Sequence, residues 1–226
     1  MFQALGTQKT PLSFSELAGQ LGPNAIYLGN INGPWIREIA SFPLHRLIDA
    51  VQSGQQSEDG DYRNRAKGFQ RLGDYTEHNT KYYQQFRPDL PEVADQVAME
   101  SGLLKATVSV IRQPPGNTIP WHQDQYFQLK KRLTPEEQSH SAIWRYLIFL
   151  EDWKAGHFFQ VEQTPVVKWR AGDVITFEPH ALHLSGNMGL EDKLTMQITG
   201  VDSASSWLHK APSTETGARL GSAIRK

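Results

Sequence analysis

The chain has 226 residues, a formal net charge of -1 and 0 cysteines. That length holds one domain with a buried core. The near-neutral balance argues against a broad basic surface for nucleic-acid phosphate, though not against a local basic groove, so small-molecule or peptide partners are expected. Without cysteine there is no disulfide framework, zinc knuckle, iron–sulfur cluster or thiol nucleophile. Any metal must be held by His, Asp or Glu, donors that suit Fe(II), Mn or Zn.

The opening residues lack the basic start and long apolar run of a signal peptide. No segment approaches the roughly 20 apolar residues of a membrane span. A soluble, cytoplasmic protein is expected, with no membrane partner. Residues 1–103 read as mainly helical support. SFSELAGQL (13–21) offers a serine start and an apolar stripe, and AIYLGN (25–30) reads as a short strand. PWIREIASFPLHRLIDAVQ (34–52) has helical spacing broken at Pro43. The polar, glycine-punctuated run 53–68 reads as a loop. PEVADQVAMES (91–101) reads as a helix with Pro91 at its first position.

At Leu104 the pattern changes to short β-rich runs: LKATVSVIRQ (104–113), WRYLIFLEDW (144–153), HFFQVE (157–162), VVKW (166–169), DVITFE (173–178) and KLTMQITG (193–200). Several strands at this spacing predict a sandwich or barrel. Residues 104–200 are therefore the expected core, followed by a polar extension over 201–226, in a single domain overall. In KLTMQI, Lys193, Thr195 and Gln197 alternate with Leu194, Met196 and Ile198. If the N-terminal helices cover the apolar face, the polar face lines an interior; otherwise it faces solvent.

Between the first two runs lies IPWHQDQYF (119–127), just after the turn PPGN. On extended backbone His122 and Asp124 leave the same face, so one ion can meet an imidazole and a carboxylate. A third ligand must come from elsewhere. Of His140, His157, His180, His183 and His209, the best placed is His183, which follows DVITFE and precedes the last strong strand. Two histidines and one carboxylate make the facial triad of non-haem Fe(II) oxygenases, which leaves open positions on the metal.

With these residues in view, the region 104–200 resembles the 2-oxoglutarate/Fe(II)-dependent dioxygenases, in particular their prolyl-4-hydroxylase-like branch. The glycine turn before H-x-D is PPGNTIPWHQD, the turn before the second histidine is Trp169 to Asp173, and Lys193 lies ten residues after His183. The resemblance implies a mainly β fold with N-terminal helices, a double-stranded β-helix (jelly roll, cupin-like) braced by helices. It implies Fe(II) on His122, Asp124 and His183, with 2-oxoglutarate and O2 as cosubstrates. Lys193 would meet the distal carboxylate and Thr195 would add a hydroxyl. Gln113 stands where the family commonly has a tyrosine that helps hold 2-oxoglutarate. The implied reaction is hydroxylation of an unactivated C–H of a small molecule, amino acid or peptidyl residue, with succinate and CO2 as coproducts. Asp124 favours hydroxylation over halogenation, since related halogenases have a small residue in its place. Asn187 stands where the family often has an asparagine that braces the turn.

Other readings stay open at this level. Arg145 can clamp a substrate carboxylate bidentately or sit solvated at a strand end. Trp121 and Tyr126 can shape the substrate pocket. His180 reads as an outer or surface residue, and His157 as a rim residue. The polar insertion 128–142 has the length of a lid. A cupin-type hydrolase or isomerase with Zn or Mn on the same triad needs no Lys193, and a non-catalytic jelly-roll binding protein needs no metal.

Overall fold

The structure is a computed structural model and describes residues 17, 21, 24–50, 78–135 and 143–210. Its elements in chain order are β1 (Ala25–Asn30), α1 (Trp35–Ala40), β2 (Leu47–Asp49), β3 (Lys81–Phe86), α2 (Glu92–Glu100), β4 (Leu104–Gln113) and β5 (Asn117–His122). They continue with α3 (Phe127–Lys130), β6 (Ile143–Phe149), β7 (His157–Val161), β8 (Thr164–Val166), β9 (Asp173–Phe177), β10 (His183–Asn187), β11 (Lys193–Val201) and a 3-10 turn, Trp207–His209.

The strands form two antiparallel sheets, a seven-stranded one in the order β1-β9-β6-β11-β4-β3-β2 and a four-stranded one in the order β5-β10-β7-β8. From β4 onward the chain passes repeatedly between them: β4, β6, β9 and β11 lie in the large sheet and β5, β7, β8 and β10 in the small one. This is the winding of a double-stranded β-helix, a jelly roll. Both edge strands of the small sheet carry a proline, Pro120 in β5 and Pro165 in β8. That is where a missing N–H costs no ladder bond.

Strand parity sorts the side chains into two cores. Met196 and Ile198 of β11, Val108 and Val110 of β4, and Trp144, Tyr146 and Ile148 of β6 face outward. There they pack on Ile36 and Ile39 of α1 and Ala94, Val97 and Ala98 of α2. The opposite faces turn into the roll, where Leu147, Phe149, Ile175 and Phe177 meet Phe159, Val161 and Trp169. Lys193, Thr195 and Thr199 are buried on that inner face. The helices therefore cover the apolar face, and the polar face lines the interior.

Among the described residues of the first hundred, strands β2 and β3 join the expected strand at 25–30 and stand beside the helices α1 and α2. β1 extends the large sheet beyond β9, and β2 and β3 extend it beyond β4. Within 34–49 the helical spacing is realised as α1, while Leu47–Asp49 instead pairs with Lys81–Tyr83. An open sheet edge supplies backbone partners that outweigh a weak helical pattern. β8 begins at Thr164 rather than 166 and stops before Trp169. Asp124 lies two residues past the end of β5 rather than within a strand. Residues 202–210 are not a free extension: Trp207 stacks on Tyr146 with ring centroids 5.6 Å apart.

The helix at 13–21 lies outside the described residues save Leu17 and Leu21. The loop 53–68, residues 136–142 of the insertion, His140 and the tail 211–226 lie outside them as well. No helix among the described residues is long and apolar enough to cross a membrane.

The parity of β11 has a measurable consequence. Ile198→Ala should cost about 2–5 kcal/mol in urea unfolding, because it opens a cavity under α1 and α2. Gln197→Ala, on the half-buried neighbouring position, should cost less than about 1 kcal/mol. Equal losses would show that the two faces are not divided in this way.

Candidate metal centre

β5 and β10 are neighbours in the small sheet, and His122 and His183 are direct cross-strand partners. Their rings lie 4.2 Å apart, centroid to centroid. Asp124 joins them from just beyond β5, so that one ligand atom from each of the three residues lies within 4.8 Å of the others. Each histidine places Nδ1 on the carbonyl two residues earlier, His122 on Pro120 O at 2.7 Å and His183 on Ala181 O at 3.0 Å. A carbonyl only accepts, so each Nδ1 carries the proton and each Nε2 keeps a lone pair, the tautomer a metal ligand requires.

The carboxylate is divided between two tasks. Asp124 Oδ1 accepts from Arg145 Nη1 at 2.6 Å. Among the described residues Oδ2 is buried without a hydrogen-bond partner and lies 3.6 Å from His183 Nε2. A buried carboxylate oxygen left unpaired is costly. A cation held by these three residues removes that cost, so the donor set fits a divalent metal of the Fe(II), Mn or Zn kind.

Protonation states agree with this. Burial pushes the His183 pKa down to about 3, helped by His122 beside it, so the ring is neutral at neutral pH. Burial alone would push the Asp124 carboxyl up, but Arg145 and the two imidazoles outweigh it and hold its pKa below the ordinary value. Phe159 and Phe177 pack their rings against His183, at 5.8 and 4.7 Å between centroids, and wall it off from the core side.

The second polar feature of the interior is Lys193, which is fully buried. Its Nζ donates to Phe158 O at 3.0 Å, to Ser185 Oγ, and to Gln113 Oε1 at 3.4 Å. It also stands over the rings of Phe159 and Trp169 at 5.8 and 5.7 Å. None of these partners is a carboxylate. Burial accordingly lowers its pKa to about 7, opposed only by the more distant charge of Glu151. Thr195 follows on the same face and is buried.

Several sequence-predicted roles change. Gln113 supports Lys193 through Oε1, but its Nε2 donates to Ser185 O at 2.9 Å and to Asn117 O at 3.3 Å. Its amide protons are thus engaged by backbone carbonyls rather than presented to a carboxylate. Arg145 is held inside the roll by Asp124 and by Thr199 Oγ1, at 3.0 Å from Nε, and is not a solvated strand end. Tyr126 is buried with its hydroxyl on Pro179 O at 3.0 Å, and its ring lies 5.4 Å beneath the Arg145 guanidinium. Trp121 is half-buried and makes none of the hydrogen bonds or ring contacts of the group.

His180 is exposed. His157 is buried rather than at a rim, with Nε2 3.0 Å from Glu191 O. Asn187 does brace its turn, donating to Gln113 O and Glu191 O and accepting from Gly189 N. In the turn from Trp169, Gly172 has φ +86°, and a Cβ there would lie 2.6 Å from Asn32 N. Asp173 closes that turn by accepting from Arg170 N and from Tyr27. Ser185 was not singled out from the sequence, although its place two residues after His183 puts both on one strand face.

No family model matches the sequence, and no curated protein matches it. Among solved structures, a prolyl-4-hydroxylase from Pseudomonas putida is similar over 74% of this chain and 97% of its own, with 15% identity and a TM-score of 0.42. A predicted oxalate decarboxylase from Thermotoga maritima is similar over 54% of this chain and 82% of its own, with 16% identity and a TM-score of 0.34. A cupin-like protein from the same organism covers 62% of this chain and 85% of its own at 16% identity and a TM-score of 0.33. The fold rests on the strand order, not on these likenesses.

His183→Ala should lower Co(II) affinity, followed by isothermal titration calorimetry, by more than the roughly 10–100-fold that loss of an outer partner costs. Unchanged affinity would remove His183 from the group. Lys193 carries a pH signature of its own. Between its folded pKa of about 7 and its ordinary value of 10.5, the unfolded chain holds a proton that the folded chain lacks. Stability should therefore rise with pH across this window, by up to about 1.4 kcal/mol per unit, and Lys193→Met should lose that slope. Parallel urea titrations would refute this if both proteins showed the same slope.

Proposed function

We propose that this protein is an Fe(II)- and 2-oxoglutarate-dependent oxygenase that hydroxylates an unactivated C–H of a small molecule, amino acid or peptidyl residue. The observation that carries the reading is the buried Lys193 amine, which has no carboxylate partner among the described residues, on the inner wall that also presents His122, Asp124 and His183. Lys193 Nζ bonds Ser185 Oγ. Ser185 lies two residues along β10 from His183, about 7 Å at the rise of a strand. A five-carbon diacid spans that interval, with one end on a metal and the other on the ammonium.

His122, Asp124 and His183 would hold the iron through three atoms and leave the remaining positions to cosubstrates. Bound there, the iron would supply the oxidative decarboxylation of 2-oxoglutarate by O2 to succinate and CO2, with the second oxygen atom going to the substrate C–H. The chain's own residues bind and orient. Lys193 takes the distal carboxylate, held in place by Ser185, Gln113 and the Phe158 carbonyl. Thr195 stands beside it as a hydroxyl donor. Phe159 and Phe177 keep water from the core side of His183, which strengthens every charge interaction inside. A hydrolase or isomerase on the same triad leaves the buried ammonium without a task.

The test is anaerobic reconstitution with Fe(II) followed by 2-oxoglutarate. A visible metal-to-ligand charge-transfer band should appear, and exposure to air should yield succinate. Lys193→Met should weaken 2-oxoglutarate binding by more than about 100-fold, as expected when one partner of a buried charge pair is removed. Because a carboxylate partner raises the lysine pKa, binding to the wild type at about pH 8 should take up most of one proton. Calorimetry in buffers of different ionisation enthalpy reads that uptake. Folded, iron-loaded protein showing neither band nor succinate would sink the proposal.

A further inference from the structure

Arg145 belongs to β6, whose alternate residues Leu147 and Phe149 face into the roll. A guanidinium on that face must be engaged to be tolerated, and it is held from several sides. Nη1 donates to Asp124 Oδ1 at 2.6 Å, and Nε donates to Thr199 Oγ1 at 3.0 Å. Thr199 is its direct cross-strand partner on β11. The guanidinium lies over the Tyr126 ring, which is itself fixed through its hydroxyl to Pro179 O. The Arg145 carbonyl accepts from Thr176 Oγ1 at 2.8 Å, so its backbone is tied to β9 as well.

Among the described residues, Arg145 is the side chain that hydrogen-bonds the Asp124 carboxylate. Asp124 lies beyond the last residue of β5, so no sheet ladder fixes its backbone. A carboxylate free to turn can offer a metal one oxygen or two. Here Arg145 engages Oδ1 and leaves Oδ2 bare toward His183. We infer that Arg145 is a positioning residue that makes Asp124 a one-oxygen ligand, so that the protein's share of the coordination sphere is three atoms. The inference rests on the reading of His122, Asp124 and His183 as a metal group. It replaces the sequence-based role of Arg145 as a substrate clamp. Charge alone does not suffice for this task. The rigid fork serves Asp124 and Thr199 together, and a lysine at the same place can set only a single point charge.

The experiment loads purified wild type, Arg145→Met, Arg145→Lys and Thr199→Val with Co(II). It reads affinity by calorimetry and ligand geometry by the visible d–d spectrum, with far-UV circular dichroism to confirm folding. Both Arg145 variants should bind Co(II) about 10–100-fold more weakly than wild type and show an altered d–d spectrum. Thr199→Val should move both readouts in the same direction by less. Wild-type affinity and spectrum in folded Arg145→Lys would overturn the positioning role, because charge would then be enough. If Arg145→Met does not fold, Arg145→Lys, which keeps the charge, decides the matter. A wild-type protein that binds none of Co(II), Fe(II), Mn(II) or Zn(II) would overturn the metal reading itself, and this inference with it.

Discussion

The two-residue period of β11 organises the molecule. Its outward side chains, Met196 and Ile198 among them, belong to the core under α1 and α2, while Lys193, Thr195 and Thr199 are buried on the other side. A single strand thus contributes to the apolar core that stabilises the large sheet and to the polar wall of the interior. A slip of one residue would exchange the two sets. It would place an ammonium among aliphatic side chains and a methionine beside the metal group. The register with β4 and β6, which sets Lys193 opposite Gln113 and Thr199 opposite Arg145, is therefore also the register of the site.

Within that frame the interior holds two charges that their surroundings leave incomplete. Among the described residues Asp124 has one oxygen on Arg145 and one without a hydrogen-bond partner, and Lys193 is surrounded by neutral acceptors and aromatic rings. Burial acts on the two in different ways. Asp124 stays ionised because Arg145 compensates it, whereas Lys193, with no carboxylate in contact, has its pKa drawn down to about 7. A cation at one place and a carboxylate at the other would each relieve a desolvation cost that the chain alone leaves standing. Incompletely satisfied polar groups of this kind are where a stable fold keeps affinity for something else.

Legibility differed from element to element for physical reasons. β4 and α2 were readable almost to the residue because their periodicity is strong and their flanks are marked by turns or proline. β2 and β3 were not, since these short outer strands depend on partners distant in sequence more than on their own residues. His122, Asp124, His183 and Lys193 were legible through residue type and spacing. Ser185 was missed because a serine in the run HLSGN carries no signal until its partner Lys193 is seen across the interior. His157 was misplaced because a histidine in a turn reads as exposed, and the fold instead stacks it on Trp169 at 6.4 Å.

From the sequence alone come a sandwich or barrel of short strands, which the family resemblance narrows to a jelly roll, the metal-competent chemistry of an H-x-D with a distal histidine, and a lysine phased onto the same wall. The strands, the donors and the phase of the lysine follow from local alternation and from donor type, which travel with the residues themselves. The tertiary structure decided which partner each group finds. Arg145 turned from an expected clamp into the brace of Asp124, and Gln113 from a ligand contact into the support of Lys193. Hydrogen-bond partners across 21 and 80 residues are set by strand register and by the closing of the roll, which no local pattern encodes.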